Sequence, residues 1–263
     1  MKRKHVCHTF GAIEIRPSAW MKIAALRAAQ TVTQPSNSLS EAMLGEILEH
    51  AKPLGHNEDP EQLNLGFGFI YYALVRALRP KHVLVIGSGY GFSVACLGLG
   101  LKDNGRGQLT FVDPSYSVFR HGPFRTVGGL SNWDDPDQVR AHFDRFGIAG
   151  LVTHYKMTSR ELFSTYDALE LGPIDLAFID GSHAFADVRQ DFLNVMRRAR
   201  RNSYVLLHDT NIYVREFVRH AGVKRWLTQL ERYPDYFQLV DFPFSSGVAI
   251  VRLLRSGDWE PGA

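Results

Sequence analysis

Short apolar runs that each break off at a polar residue, with amphipathic stretches between them, constrain this chain more than any other feature. The runs are VLVI (83–86), LTFVD closing at Asp113, LVTH (151–154), IDLAFID closing at Asp180 and YVLLHD closing at Asp209. Strands buried on both faces read as continuous apolar runs. Alternation with crossover helices is satisfied by a largely parallel sheet covered on both faces. The intervening stretches carry helix punctuation. Ile70, Ala73, Leu74, Ala77 and Leu78 form one apolar face that stops at Arg79-Pro80. Asp135 and Pro136 open a helix carrying Val139, Phe143 and Phe146 before Gly147, and another starts near Phe185 with Val188, Phe192 and Val195 on one side.

The end of the chain breaks this rhythm. YFQLVDF (236–242) and GVAIVRLL (247–254) are separated only by PFSS, too short for a parallel crossover, so the two strands pair as an antiparallel hairpin. The expected fold is α/β, a Rossmann-like doubly wound, mostly parallel seven-stranded sheet with an antiparallel C-terminal strand. Residues 1–62 are expected to be an N-terminal helical extension, and 63–263 the sheet domain. The extension has a helical stretch over Ala19–Gln30, then SLSEAMLGEILEHA, where Ser40 is the expected N-cap and Met43, Leu44, Ile47 and Leu48 recur at helical spacing. The RRARR run (197–201) is expected to close a helix as a solvated end, and Tyr71, Tyr72, Phe67 and Phe69 to serve packing.

Composition narrows the function. With 45% hydrophobic and 22% charged residues the chain folds, and a formal net charge of +3 is too even to argue for nucleic acid or an anionic membrane. The longest apolar run, Phe69–Val75, is far below the ~18 residues of a membrane span. Cys7 and Cys96 form no CxxC pair, so no disulfide framework or cysteine zinc site is encoded and a cytoplasmic location fits. The expected partner is a small molecule, with no nucleic acid and no membrane; a homo-oligomer is compatible with the sequence.

In a parallel sheet ligands bind beyond the carboxyl ends of the strands, which directs the search to the residues after each run. VLVIGSGYGFS places Gly87, Ser88, Gly89 and Gly91 in a tight turn between strand and helix, where a ligand can approach backbone N–H groups. Asp113 ends the next strand, where a carboxylate accepts ribose hydroxyls, so the pair points to a nucleotide-type ligand. Phe92 stands where a dinucleotide fingerprint requires glycine.

This glycine loop and acidic strand end, with the terminal hairpin, resemble the class I S-adenosylmethionine-dependent methyltransferases. AFIDGSHAFADVRQDF and YVLLHDTN resemble, more specifically, the branch of macrolide sugar O-methyltransferases and cephalosporin-hydroxylase-like proteins, over roughly residues 65–254. One departure is Val85, where the family usually carries an acidic residue. The resemblance implies that Gly87, Ser88, Gly89, Gly91, Asp113, Thr158, Ser159 and Asp180 contact S-adenosylmethionine, with Thr158 and Ser159 near the adenine. It implies that Asp180 and Asp209 hold Mg2+ or Mn2+, with His208 as a third ligand or a hydrogen-bonded packing residue. It also implies catalytic roles for Asp180 and for His183, the latter as general base. Physically, two carboxylates at neighbouring strand ends suit a hard cation, while aspartate equally serves turns and caps. Ser159 is also a plausible N-cap of SRELF, and His183 an ordinary helix-start residue. Thr210 stands where catechol-type relatives carry asparagine. The loop 115–134, with Arg120, His121, Arg125 and Trp133, is long enough to be a substrate lid.

The implied function is methyl transfer to a hydroxyl of a small metabolite, divalent-metal-assisted, in secondary metabolism. The alternatives are a metal-independent methyltransferase with His183 as base, a nicotinamide-dependent oxidoreductase and a non-catalytic cofactor-binding protein.

Overall fold

The computed structural model describes residues 37–115, 119–121, 124–126, 132–211 and 222–260, so the helix expected over Ala19–Gln30 lies outside the described residues. Helix α1 (Glu41–His50) starts at Ser40, whose hydroxyl accepts the Met43 N–H, and α2 (Phe67–Leu78) ends at Arg79 in the left-handed region before Pro80. Strand β1 (His82–Ile86), α3 (Phe92–Asn104) and β2 (Gln108–Val112) follow. A short hairpin of β3 (Phe119–His121) and β4 (Phe124–Thr126) precedes α4 (Pro136–Asp144), which Asp135 caps. Next come β5 (Val152–Tyr155), α5 (Ser159–Thr165), β6 (Ile174–Ile179), α6 (Phe185–Arg198) and β7 (Ala199–His208). Helix α7 (Val223–Leu230) and the strands β8 (Phe237–Phe242) and β9 (Val248–Leu253) complete the described chain.

The sheet has seven strands in the order β5-β2-β1-β6-β7-β9-β8, and β9 alone runs against the rest, pairing antiparallel with both β7 and β8. The expected sheet, with its antiparallel last strand, is the one observed. Side chains alternate between its faces, so each central strand feeds two cores. Val83 and Val85 join the core under α1–α4, whereas Leu84 and Ile86 join the core under α5–α7. Among the described residues no helix is long and apolar enough to cross a membrane.

Four local expectations need correction. Helix α6 stops at Arg198, and Ala199–Arg201 already belong to β7. Arg198 is no solvated end: its guanidinium lies over the Phe163 and Tyr166 rings and donates to the Phe163 carbonyl at 2.8 Å. Phe69, expected to serve packing, is 38% exposed. Trp133 belongs to the core rather than a lid, because its ring stacks on Phe143 and meets Phe111 edge-on. The N-cap of α5 is Thr158, not Ser159, in a capping box with Glu161.

The approach to α1 is tied to the sheet domain by Asp103, which accepts the Ser38 N–H at 2.8 Å, the Ser38 hydroxyl at 2.6 Å and the Tyr72 hydroxyl at 2.6 Å. Burial and this carboxylate push the Tyr72 phenol up to about 12. Asp103→Ala is expected to lower the unfolding free energy by about 1–3 kcal/mol in urea denaturation, since several charge-assisted bonds are lost at once. A change below about 0.5 kcal/mol would show that this anchor contributes nothing.

Candidate active site

The glycine turn is shaped by its neighbours. Gly87 has φ of +73°, and a Cβ there would lie 2.4 Å from the Asp180 carbonyl oxygen, so no side chain fits without moving backbone. Its N–H donates to Val112 O at 3.0 Å and the Asp180 N–H donates to Ile86 O at 2.8 Å, locking the ends of β1, β2 and β6 together. The Gly91 N–H closes the turn on Ser88 O. The Ser88 hydroxyl is turned inward onto Ser93 Oγ, 2.6 Å away. A Cβ at Gly89 would meet open space, so the outer side of the turn is accessible to a ligand.

Asp113 stands beside this turn at the end of β2. Its Oδ1 accepts the Ser115 N–H at 2.7 Å, with Ser115 in the left-handed region at φ +62°. Burial pushes its carboxyl up to about 6, against the backbone N–H groups of Ser115 and Ser88 that favour the charged form.

The ends of β6 and β7 bring Asp180, His183, His208 and Asp209 together. His183 Nε2 lies 3.0 Å from Asp209 Oδ2 and 3.4 Å from Asp180 Oδ1. His208 Nδ1 lies 3.1 Å from Asp180 Oδ1 and 3.3 Å from Asp209 Oδ1. Asp209 reaches this position with φ of +63°, a left-handed turn off the strand. Asp180, His183 and Asp209 offer ligand atoms within 4.8 Å of one another. Two carboxylate oxygens and one imidazole nitrogen in that arrangement fit a divalent cation.

His208 takes a different place. Its Nε2 faces the Gly55 carbonyl at 3.3 Å while Nδ1 faces the two carboxylates, so both nitrogens meet acceptors and both must carry hydrogen. Burial opposes this charge, but Asp180, with help from Asp209, outweighs it and pushes the His208 imidazole up to about 9. Burial likewise opposes ionisation of Asp180, yet His208 and His183 hold its carboxyl far below the usual carboxylate range. A ring protonated at both nitrogens has no lone pair for a metal, so His208 fits a positioning role and the third donor facing the acid pair is His183.

Sequence reasoning missed His56. Its ring stacks on His208 at a centroid distance of 4.1 Å, and its Nδ1 lies 3.0 Å from the Tyr71 hydroxyl. Burial first, then the charge of His208, lowers the His56 pKa well below its ordinary value, so a neutral imidazole backs the charged one. Tyr71 therefore does more than pack. No spacing signal points to His56, because it reaches the cluster through a loop between α1 and α2. Thr210, one residue beyond Asp209, turns away and donates to Asp241 Oδ1 at 2.8 Å. The hydroxyls of Thr158 and Ser159 also serve the fold, the first in its capping box and the second on buried Asp191, whose carboxyl burial pushes up to about 7. The side chains of Arg120, His121 and Arg125 lie outside the described residues.

A raised imidazole pKa contributes stability that is complete below about 6.5 and is lost as pH rises through the folded value. The His208 ring is therefore expected to show imidazolium nitrogen shifts in 15N NMR at pH 7.5. It should titrate near 9, with folding stability declining over that upper range. A neutral ring at pH 7 would contradict the double-acceptor geometry.

Residues 84–210 match the family described as methyltransferase domain. An uncharacterized protein of Sinorhizobium fredii, y4gI, is 25% identical over 196 residues, which is 74% of this chain and 20% of that protein. The chain thus spans about a fifth of the length of that relative. The O-methyltransferase from Bacillus cereus solved with S-adenosylhomocysteine superposes with a TM-score of 0.58 at 16% identity, covering 88% of this chain and 97% of that one. The O-methyltransferase TomG from Streptomyces achromogenes, solved with S-adenosylmethionine, gives 0.57 at 13% identity, covering 91% and 99%. The likeness to these solved structures shows the fold, and residues 84–210 match the model of the methyltransferase-domain family.

Proposed function

We propose that this protein transfers the methyl group of S-adenosylmethionine to a hydroxyl oxygen of a small acceptor. The observation that carries the reading is the convergence of the glycine turn, Asp113 and the Asp180–His183–Asp209 cluster on the carboxyl edge of adjacent strands. When bound, the cofactor supplies a sulfonium-activated methyl group. The turn at Gly87–Gly91, leading into the N-terminus of α3, fits close approach of the cofactor's backbone-binding end. In this reading Asp113 accepts the ribose hydroxyls. Val85 is fully buried in the sheet, so the amino-acid end of the cofactor receives no acidic partner from that position.

The acceptor's proton must leave before or during transfer, and in this reading His183 takes it. Asp209 Oδ2 accepts from His183 Nε2 at 3.0 Å, which fixes the tautomer and puts the basic lone pair on Nδ1. A second reading rests on the 4.8 Å convergence of ligand atoms: Asp180 and Asp209, with His183 Nε2, would hold Mg2+ or Mn2+. A cation held there would supply a lowered pKa for the acceptor hydroxyl.

Asp113→Ala is expected to weaken S-adenosylhomocysteine binding about 10- to 100-fold in calorimetry, as paired charge-assisted hydrogen bonds are lost. Unchanged affinity would remove Asp113 from the cofactor site. With radiolabelled S-adenosylmethionine and a panel of phenolic and sugar hydroxyls, His183→Ala is expected to lower turnover roughly 100-fold while cofactor affinity holds. Activity that survives exhaustive chelation selects the metal-free reading, and activity abolished by chelator and restored by Mg2+ or Mn2+ selects the second. Wild-type turnover in His183→Ala would show that His183 takes no proton.

A further inference from the structure

His208 is gripped from two directions by consecutive residues of the loop between α1 and α2. The Gly55 carbonyl meets its Nε2 edge at 3.3 Å, and the His56 ring covers its face at 4.1 Å between centroids, 24° from parallel. That loop is itself latched. Glu58 Oε2 accepts the His56 N–H at 2.7 Å and Oε1 accepts the Gly55 N–H at 3.4 Å, so one carboxylate holds both backbone donors. The His56 carbonyl accepts the Phe67 N–H at 2.7 Å, and the Gly55 carbonyl also accepts the Ser246 N–H at 3.2 Å.

The His56 side chain is held as closely as its backbone. It is 4% exposed, and Tyr71 on α2 is fully buried. Phe92 packs on the His56 ring at 4.6 Å, while Phe178 meets Tyr71 edge-on at 5.0 Å and lies near-parallel to His208 at 6.3 Å. Among phenyl rings an imidazole is the costlier choice, because its nitrogens lose water on burial. Here Nδ1 lies 3.0 Å from the Tyr71 hydroxyl, a bond that meets a polar atom on each side chain and fixes the rotation of the His56 ring. The path from that ring to His183 is short. His208 Nδ1 faces Asp180 Oδ1 at 3.1 Å and Asp209 Oδ1 at 3.3 Å, and Asp209 Oδ2 faces His183 Nε2 at 3.0 Å.

We propose that Glu58, His56 and Tyr71 are positioning residues that hold the plane of His208, and through it the Asp180–Asp209 pair, in the orientation His183 needs to take the acceptor proton. The proposal rests on the methyl-transfer reading above. In that reading none of the three contacts cofactor or acceptor, so their loss slows transfer and leaves binding intact.

The test separates rate from binding, using radiolabelled S-adenosylmethionine and the hydroxyl of the phenolic and sugar panel that the wild type methylates best. Tyr71→Phe removes one hydroxyl and keeps the ring. It is expected to lower kcat about fivefold, the scale of one hydrogen bond, while the acceptor KM and the S-adenosylhomocysteine dissociation constant stay within about twofold. Glu58→Ala is expected to give the same split, and Glu58→Gln, which keeps an oxygen for the His56 N–H, to recover most of the rate. If Glu58→Ala does not fold, the near-isosteric Tyr71→Phe decides alone. A second arm needs no acceptor: in 15N-histidine-labelled protein, the two ring N–H protons of His208 are expected to exchange with solvent about fivefold faster in Tyr71→Phe than in the wild type. Wild-type kcat in Tyr71→Phe, a loss confined to KM or cofactor affinity, or equal exchange of the His208 protons would each overturn the proposal. Absence of transfer by the wild type would instead defeat the methyl-transfer reading and the role in proton transfer with it, while the exchange arm would still decide whether the latch holds His208.

Discussion

A buried imidazolium held between two carboxylates is the interaction on which the carboxyl edge of this sheet depends. Isolated, any of these three charges would be costly to bury; together, His208 satisfies both Asp180 and Asp209, and the Gly55 carbonyl takes its remaining N–H. Removing the cation would leave two carboxylates in near contact and a neutral His56 stacked on nothing charged. Asp180 is bonded from two sides, by His208 and by His183, and so its ionised form persists in a buried setting. This arrangement keeps an acid pair fixed in one orientation, with the His183 ring against both carboxylates.

The fold delivers these groups by a simple rule. β1, β2, β6 and β7 end at one edge, and each releases its functional residue in the first positions after the last ladder bond. Backbone strain marks the same edge. Ser115 and Asp209 are both left-handed without being glycine, one beside the Asp113 carboxylate and one inside the acid–imidazole cluster. Gly87 is left-handed, and the chain after β6 passes too close for a side chain there, so the turn and Asp180 constrain each other.

Much of this was legible in the sequence, because strand ends and helix starts leave local marks. The five apolar runs, the Ser40 and Asp135 caps and the PFSS hairpin each encode their element through periodicity or turn chemistry, and each appears where expected. Asp113, Asp180 and Asp209 were readable for the same reason, as polar residues closing apolar runs. What escaped depends on contacts between distant segments. His56 lies 152 positions from His208 and sits on a loop without pattern, so nothing local reveals the stack. Trp133 reads as a loop residue by position but is drawn into the core by Phe111 and Phe143. The Thr158 cap competed with a plausible neighbour at Ser159, and only the Glu161 contact decides between them.

The account as a whole rests on one ligand lying across adjacent strand ends with its reactive end facing the acid–imidazole cluster. A crystal structure with S-adenosylhomocysteine tests it most directly. The account predicts density along Gly87–Gly91, ribose hydroxyls within about 2.6–3.2 Å of the Asp113 carboxylate, and the sulfur facing the mouth shared by His183 and Asp209. S-adenosylhomocysteine seated elsewhere, or with its ribose away from Asp113 and its sulfur turned from His183, would contradict it.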